Sequence, residues 1–258
     1  MKKYGLIIDK PEIGKDYVLG GFGGLPKEIL CPDKDWTFWL PKKELQAEKF
    51  ETWMCVTFTI LNCLEILIRK QYGIEENYSD RFLGIVSGTG EGGNSPHTVA
   101  EFLRKLGVPP ENIYSFNAAT YEEFYQKIPQ EIYDIALEFL NKYEFKHEFV
   151  DGKDIDEAIQ YSPLLISVTA WFEKDGIYYR PEGMKDNHAT TYVKRNEDNR
   201  LMFDSYDSIL KKVRLEDLPM TAKRFWIKKK VDNQSSQNNS FYAKLKEWIK
   251  NYWEEILR

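Results

Sequence analysis

Cysteine and histidine are both scarce in this chain of 258 residues, with three of each. An odd number of cysteines without CxxC spacing argues against a disulfide framework and against a structural zinc site. Eighteen apolar residues never run together, and the short apolar stretch after Met1-Lys2-Lys3 ends at Asp9. Neither a transmembrane span nor a signal-peptide core is therefore expected, which predicts a soluble product without a membrane partner that stays in the cytoplasm. The net charge of −5 is mild and no long basic run occurs, so nucleic acid is not expected as a partner. The Gly-rich loop at 87–96 lacks the Gly-Lys-Ser/Thr ending of a phosphate-binding loop, and no cofactor is called for.

What is abundant is core-forming material: 42% of the residues are apolar and 15% aromatic, enough for a substantial folded core. Residues 1–34 are rich in Gly and Pro and read as loops and short strands. From 54 to about 70, apolar residues recur at spacings of three and four, predicting a largely buried helix with Thr52 as N-cap and an end near Tyr72-Gly73. Further helices are predicted over 98–106, closed by Gly107 and Pro109-Pro110, and over 130–143. Short strands follow at 164–168, 177–179, 188–193 and 201–203. Helices first and strands afterwards predict an α+β chain with a helical lobe and a β lobe over 35–231. Residues 232–240 read as a polar linker. In 241–258, Tyr242, Leu245, Ile249, Tyr252 and Ile256 form an amphipathic seam suited to docking on the chain's own domain, a second copy or a partner protein.

Cys55 begins the buried helix, where unpaired N–H groups and the positive end of the macrodipole favour a thiolate. Of the three histidines, His188 stands at the entry to a predicted buried strand. The next strand ends in Phe203-Asp204-Ser205-Tyr206, and antiparallel pairing would bring Asp204 beside His188. A carboxylate there would orient the imidazole and stabilise its protonated form.

On these residues the chain resembles the papain-like cysteine peptidases. Cys55-Val56-Thr57-Phe58 is similar to the Cys-x-x-Phe at the head of that family's central helix. The step from Cys55 to His188 falls within the roughly 130–150 residues usual there. Asp204-Ser205-Tyr206 resembles the family's Asn-Ser-Trp segment, with Tyr206 in the shielding position. Gly92-Gly93 resembles the Gly-Gly strand whose backbone pairs with a peptide substrate. The resemblance implies the two-lobed papain-like fold, a β-barrel-like second lobe, and a peptidase acting on peptides or proteins through a Cys55–His188–Asp204 triad and an acyl-enzyme. It also implies an oxyanion glutamine. Lys49 stands at the usual spacing, six positions before Cys55, and the nearest glutamine is Gln46, which can serve if the intervening loop is a few residues longer.

The departures are specific. The family's Gly-Ser and Trp around the cysteine are replaced by Trp53-Met54 and Val56. Asp204 replaces the more usual Asn, and the large inhibitory propeptide has no counterpart before Asp35-Trp36, so activity would be controlled differently. A catalytically silent papain-like binding or assembly module, or an amidase or transferase with the same triad, would share these features. The remaining candidates read blandly: Cys63 as a core thiol, Cys31 as an inert loop thiol, His97 as a surface or capping residue, and His147 as a solvated one.

Overall fold

The computed structural model describes residues 4–230 other than Ile13, Phe22, Gly23 and Ser208. The chain divides into a compact unit, Met1–Lys228, and a second, Lys229–Arg258, of which only the first two residues are described. The predicted linker and C-terminal amphipathic helix lie outside the described residues.

One helix, α1 (Cys55–Tyr72), organises the first unit. From Cys55 to Ile68 only Asn62 is not fully buried, as befits a helix apolar on nearly every face. Gly73 ends it in the left-handed conformation, φ 66°, with its N–H donating to Arg69 O at 3.0 Å. Thr52 is not the N-cap. Met54 holds that position and no side chain caps the helix. Trp53, at φ 55°, turns the chain just beforehand, and the Thr52 hydroxyl donates instead to Gln46 O at 2.9 Å.

A helix not evident from the apolar spacing, α2 (Asp80–Val86), starts at Ser79, whose hydroxyl accepts from the Phe82 N–H. Its Gly84 faces Met54: a Cβ there would lie 2.4 Å from the Met54 sulfur. The bareness of Gly84 thus lets the residue before Cys55 seat against α2. Helix α3 (Pro96–Leu106) carries Pro at its start after a Ser95 cap. Two single turns, α4 (Tyr121–Phe124) and α6 (Ile155–Ala158), flank α5 (Gln130–Lys142) in the chain.

Eight strands form one sheet: β1 (Tyr143–Phe149), β2 (Leu164–Val168), β3 (Phe172–Lys174), β4 (Ile177–Tyr179), β5 (His188–Arg195), β6 (Asn199–Phe203), β7 (Leu210–Arg214) and β8 (Ala222–Lys229). Their order is β1-β8-β2-β5-β6-β7-β4-β3. Helix α1 lies against β5 and β2 at the centre of this sheet. Strand β5 pairs antiparallel with β6 in a register that sets Thr191 opposite Phe203. The register brings the first residue of β5 towards the residue that follows β6. Among the described residues, no helix is long and apolar enough to cross a membrane.

Candidate active site

The junction of α1 with β5 and β6 assembles the site. Cys55 is the first residue of α1 and fully buried. His188 opens β5, and its Nε2 lies 2.5 Å from Asp204 Oδ1, with both side chains sealed from solvent. Burial alone would make His188 harder to protonate, but Asp204 and then Cys55 outweigh it and push its pKa up to about 10. The other ring nitrogen, Nδ1, is buried without a hydrogen-bond partner. Asp204 is pressed upward by burial, yet His188 and Lys211 together hold it well below the usual carboxylate range. Three rings enclose the imidazole: Tyr206 at 5.2 Å, Trp171 edge-on at 5.6 Å and Tyr4 at 5.7 Å between centroids.

Gln46 sits in the same neighbourhood, held at both ends of its amide. Ser205 donates to its Oε1 at 2.6 Å, and its Nε2 donates to Glu51 at 3.2 Å. Glu51 also accepts from the Tyr206 hydroxyl at 2.8 Å and the Trp53 N–H at 3.0 Å. It therefore ties the turn before Cys55 to the ring over His188. Lys49, at the family's usual glutamine spacing, points elsewhere and donates to Asn117 Oδ1 at 2.5 Å.

Residues 4–7 run across this site. Cys55 Sγ lies 3.0 Å from Tyr4 O. A carbonyl oxygen can accept from a thiol but offers nothing to a thiolate. Leu6 bridges Asn94 in parallel fashion: the Asn94 N–H donates to Gly5 O and the Ile7 N–H to Asn94 O, both at 2.9 Å. Gly93, at φ 75°, accepts this neighbour because it lacks a Cβ, which would fall 2.0 Å from Gly5 O. Asn94 is fixed by its own amide, which donates to Ser87 O at 2.8 Å and Thr89 Oγ1 at 3.1 Å. Gly92 is exposed, with open space where a Cβ would stand.

The other cysteines are set apart. Cys31 is buried 3.1 Å from Asp33 Oδ1, and burial followed by Asp33 pushes its thiol up to about 12. Cys63 is sealed inside α1, where burial pushes its thiol well above the ordinary value. His147 corrects the sequence reading: it is buried, not solvated, because the alternation of β1 turns it inward beneath α3. Its Nε2 lies 3.0 Å from Glu101 Oε1. His97 stacks on Phe149 and lines a cavity of about 330 Å³ with His147, Glu101, Arg104 and Lys223. Among the described residues, no group of three or more His, Cys, Asp or Glu side chains could hold a metal ion.

Sequence spacing missed Tyr4, Glu51, Trp171 and Lys211. The first two stand in irregular segments, where periodicity is silent. Lys211 lies in Leu-Lys-Lys-Val-Arg, which reads as a solvated strand although the lysine is 1% exposed.

No family sequence model matches the chain, and no curated relative matches it. Its structure, however, resembles many solved ones. Xylellain, a cysteine protease from Xylella fastidiosa, superposes with a TM-score of 0.64 at 19% identity, over 89% of this chain and 96% of its own. The bromelain protease from Ananas comosus gives 0.54 at 17%, over 73% and 95%. Digestive procathepsin L 3 of Tenebrio molitor gives 0.56 at 16%, over 76% and 70%. The chain has the papain-like α+β fold.

Proposed function

We propose that the protein is a cysteine peptidase in which Cys55 is the nucleophile, His188 the acid–base group and Asp204 its orienting carboxylate. The observation that carries this reading is the sealed His188–Asp204 pair, 2.5 Å apart, with Cys55 close enough to join Asp204 in raising the pKa of the imidazole. The sulfur of Cys55, as thiolate against the imidazolium, attacks a peptide carbonyl carbon and drives its electrons onto the oxygen. The Cys55 N–H, at a helix start that no side chain caps, and the second amide hydrogen of Gln46 would receive that oxyanion. Such a donor contributes about 3–4 kcal/mol. His188 then gives its Nδ1 proton to the leaving amine and later takes one from the water that releases the acyl group.

Residues 4–7 favour a peptide as substrate. Their main chain pairs with the Gly93–Asn94 backbone as an extended peptide would, with one carbonyl set at the sulfur. This segment must leave before a substrate can enter. The same occupancy, with the Gln46 amide tied to Glu51, supports the rival reading of a silent papain-like binding module.

Iodoacetamide labelling of the folded protein near pH 6 (roughly the region where an ordinary thiol is slow), located by peptide mass spectrometry, separates the two. The peptidase reading expects fast labelling at Cys55 that His188→Ala abolishes. Labelling of Cys55 no faster than that of Cys31 or Cys63, both in the intact chain and after removal of residues 1–8 that cover the thiol, would establish the silent module instead.

A further inference from the structure

Asp204 divides its two oxygens between two cations. Oδ1 meets His188 Nε2 at 2.5 Å, and Oδ2 meets Lys211 Nζ at 3.0 Å. Lys211 comes from β7, two strands away from His188 in the sheet, and is 1% exposed. Burying a lysine is costly unless it is paired and its hydrogen bonds are made. Here the ammonium also reaches Asp207, and it lies 4.9 Å from the centre of the Trp171 ring, the same ring that packs edge-on against His188. The lysine therefore holds both the carboxylate behind the imidazole and the indole beside it.

We propose that Lys211 is a positioning residue for the site: its ammonium fixes Oδ2 of Asp204 so that Oδ1 is aimed at His188, and it balances the buried carboxylate charge. This rests on the peptidase reading. A thiolate, an imidazolium and a carboxylate together leave one uncompensated negative charge in a sealed region, and Lys211 brings the sum to zero. An amide in the position of Asp204 would need no such partner; the lysine answers the carboxylate.

The charged and titratable groups around the pair are few. His188 faces Cys55 from α1 and Asp204 after β6, with Tyr4 and Tyr206 at its ring and Glu51 behind Tyr206. Asp204 faces His188 and Lys211, has Lys43 on its main-chain oxygen, and shares Lys211 with Asp207. Removing the Lys211 charge makes the surroundings more negative, which favours the imidazolium and disfavours the thiolate. Both titrations of the pair then move to higher pH.

The test is the pH profile of iodoacetamide alkylation at Cys55 in the full chain, for Lys211→Met, Asp204→Asn and the double variant, with circular dichroism on each. Lys211→Met is expected to move the profile upward by about one pH unit, the low end of what a nearby charge does. In the Asp204→Asn background the same substitution should move the profile by clearly less, since only the direct effect of the lost charge remains. Should Lys211→Met fail to fold, Lys211→Gln, whose amide still donates but carries no charge, takes its place with the same two expectations. A merely structural lysine would lower the melting temperature in both backgrounds and leave both profiles in place, and that result overturns the proposal. So does an equal shift in both backgrounds. A fast Cys55 whose profile ignores Lys211 defeats this inference alone. A Cys55 that is slow in the unaltered chain and stays slow once residues 1–8 are removed defeats the peptidase reading beneath it.

Discussion

Two buried histidines in this molecule each meet a carboxylate, and each has a lysine close by, yet they behave in opposite ways. His188 is held protonated, up to about pH 10, while burial, joined by Lys223, pulls His147 down to about 4 against the attraction of Glu101. The difference lies in what else touches the pair. Asp204 gives one oxygen wholly to His188, and its lysine stands behind it, on the other oxygen. Glu101 is already engaged by Arg104 at 2.7 and 2.8 Å and by Lys105 at 3.2 Å. Lys223 approaches the imidazole itself, 3.4 Å from Nδ1. A histidine–carboxylate contact is thus not enough to make an acid–base pair. The imidazole must also meet a group that profits from its charge: Cys55 is such a group for His188, whereas His147 meets an ammonium.

Substitutions can break this comparison, beginning with the carboxylates. Asp204→Ala should lower turnover of a peptide substrate by roughly a thousandfold or more, whereas Glu101→Ala should leave it within about twofold; steady-state kcat/KM decides. Next comes removal of residues 1–8, which should speed alkylation of Cys55 by about tenfold, the gain expected where the covered site stands open in about one molecule in ten. An unchanged rate would show that the segment does not guard the thiol. NMR titration of the ring signals should find His188 still protonated at about pH 9 and His147 neutral down to about pH 5.

The smallest effects are on stability. The folded pKa of His188 is raised above its ordinary 6.5, so its contribution is complete below 6.5 and is lost as pH climbs through about 10. Asp204 is depressed, and its contribution is present above 3.8 and lost as pH falls further. His147 has a lowered pKa, so it costs stability as pH falls from 6.5 through about 4. Denaturant unfolding across this range should therefore show His147→Gln flattening the acid slope, while His188→Gln removes stability most strongly below 6.5.

The sequence revealed the parts of this fold whose patterning is regular. Helix α1 and strand β2 are mainly apolar, strand β5 is buried over its first six residues, and the pairing of β5 with β6 could be anticipated from their spacing, which is why His188 and Asp204 could be placed side by side from the sequence. Strands β7 and β8 were not. Lys211, Lys223 and Arg224 are all buried in them, and a buried cation looks like a surface residue until its partner is known. Arg224 meets Glu148 in the core, a strand away and far along the chain. Thr52 misled for another reason: a good capping residue lost its role to the left-handed turn at Trp53. The occupation of the site by residues 4–7 depends on a long-range backbone pairing that leaves no periodic trace.

That pairing makes Gly5 a place where a single methyl group acts as a wedge. Its φ is 88°, and a Cβ there would stand 2.2 Å from Trp53 O, against rigid backbone on the turn that leads into Cys55. Alanine at this position would have to lift the strand without altering any group that performs chemistry. The parent chain and its Gly5→Ala form would then be a caged and an uncaged version of one reagent, differing by one carbon and two hydrogens.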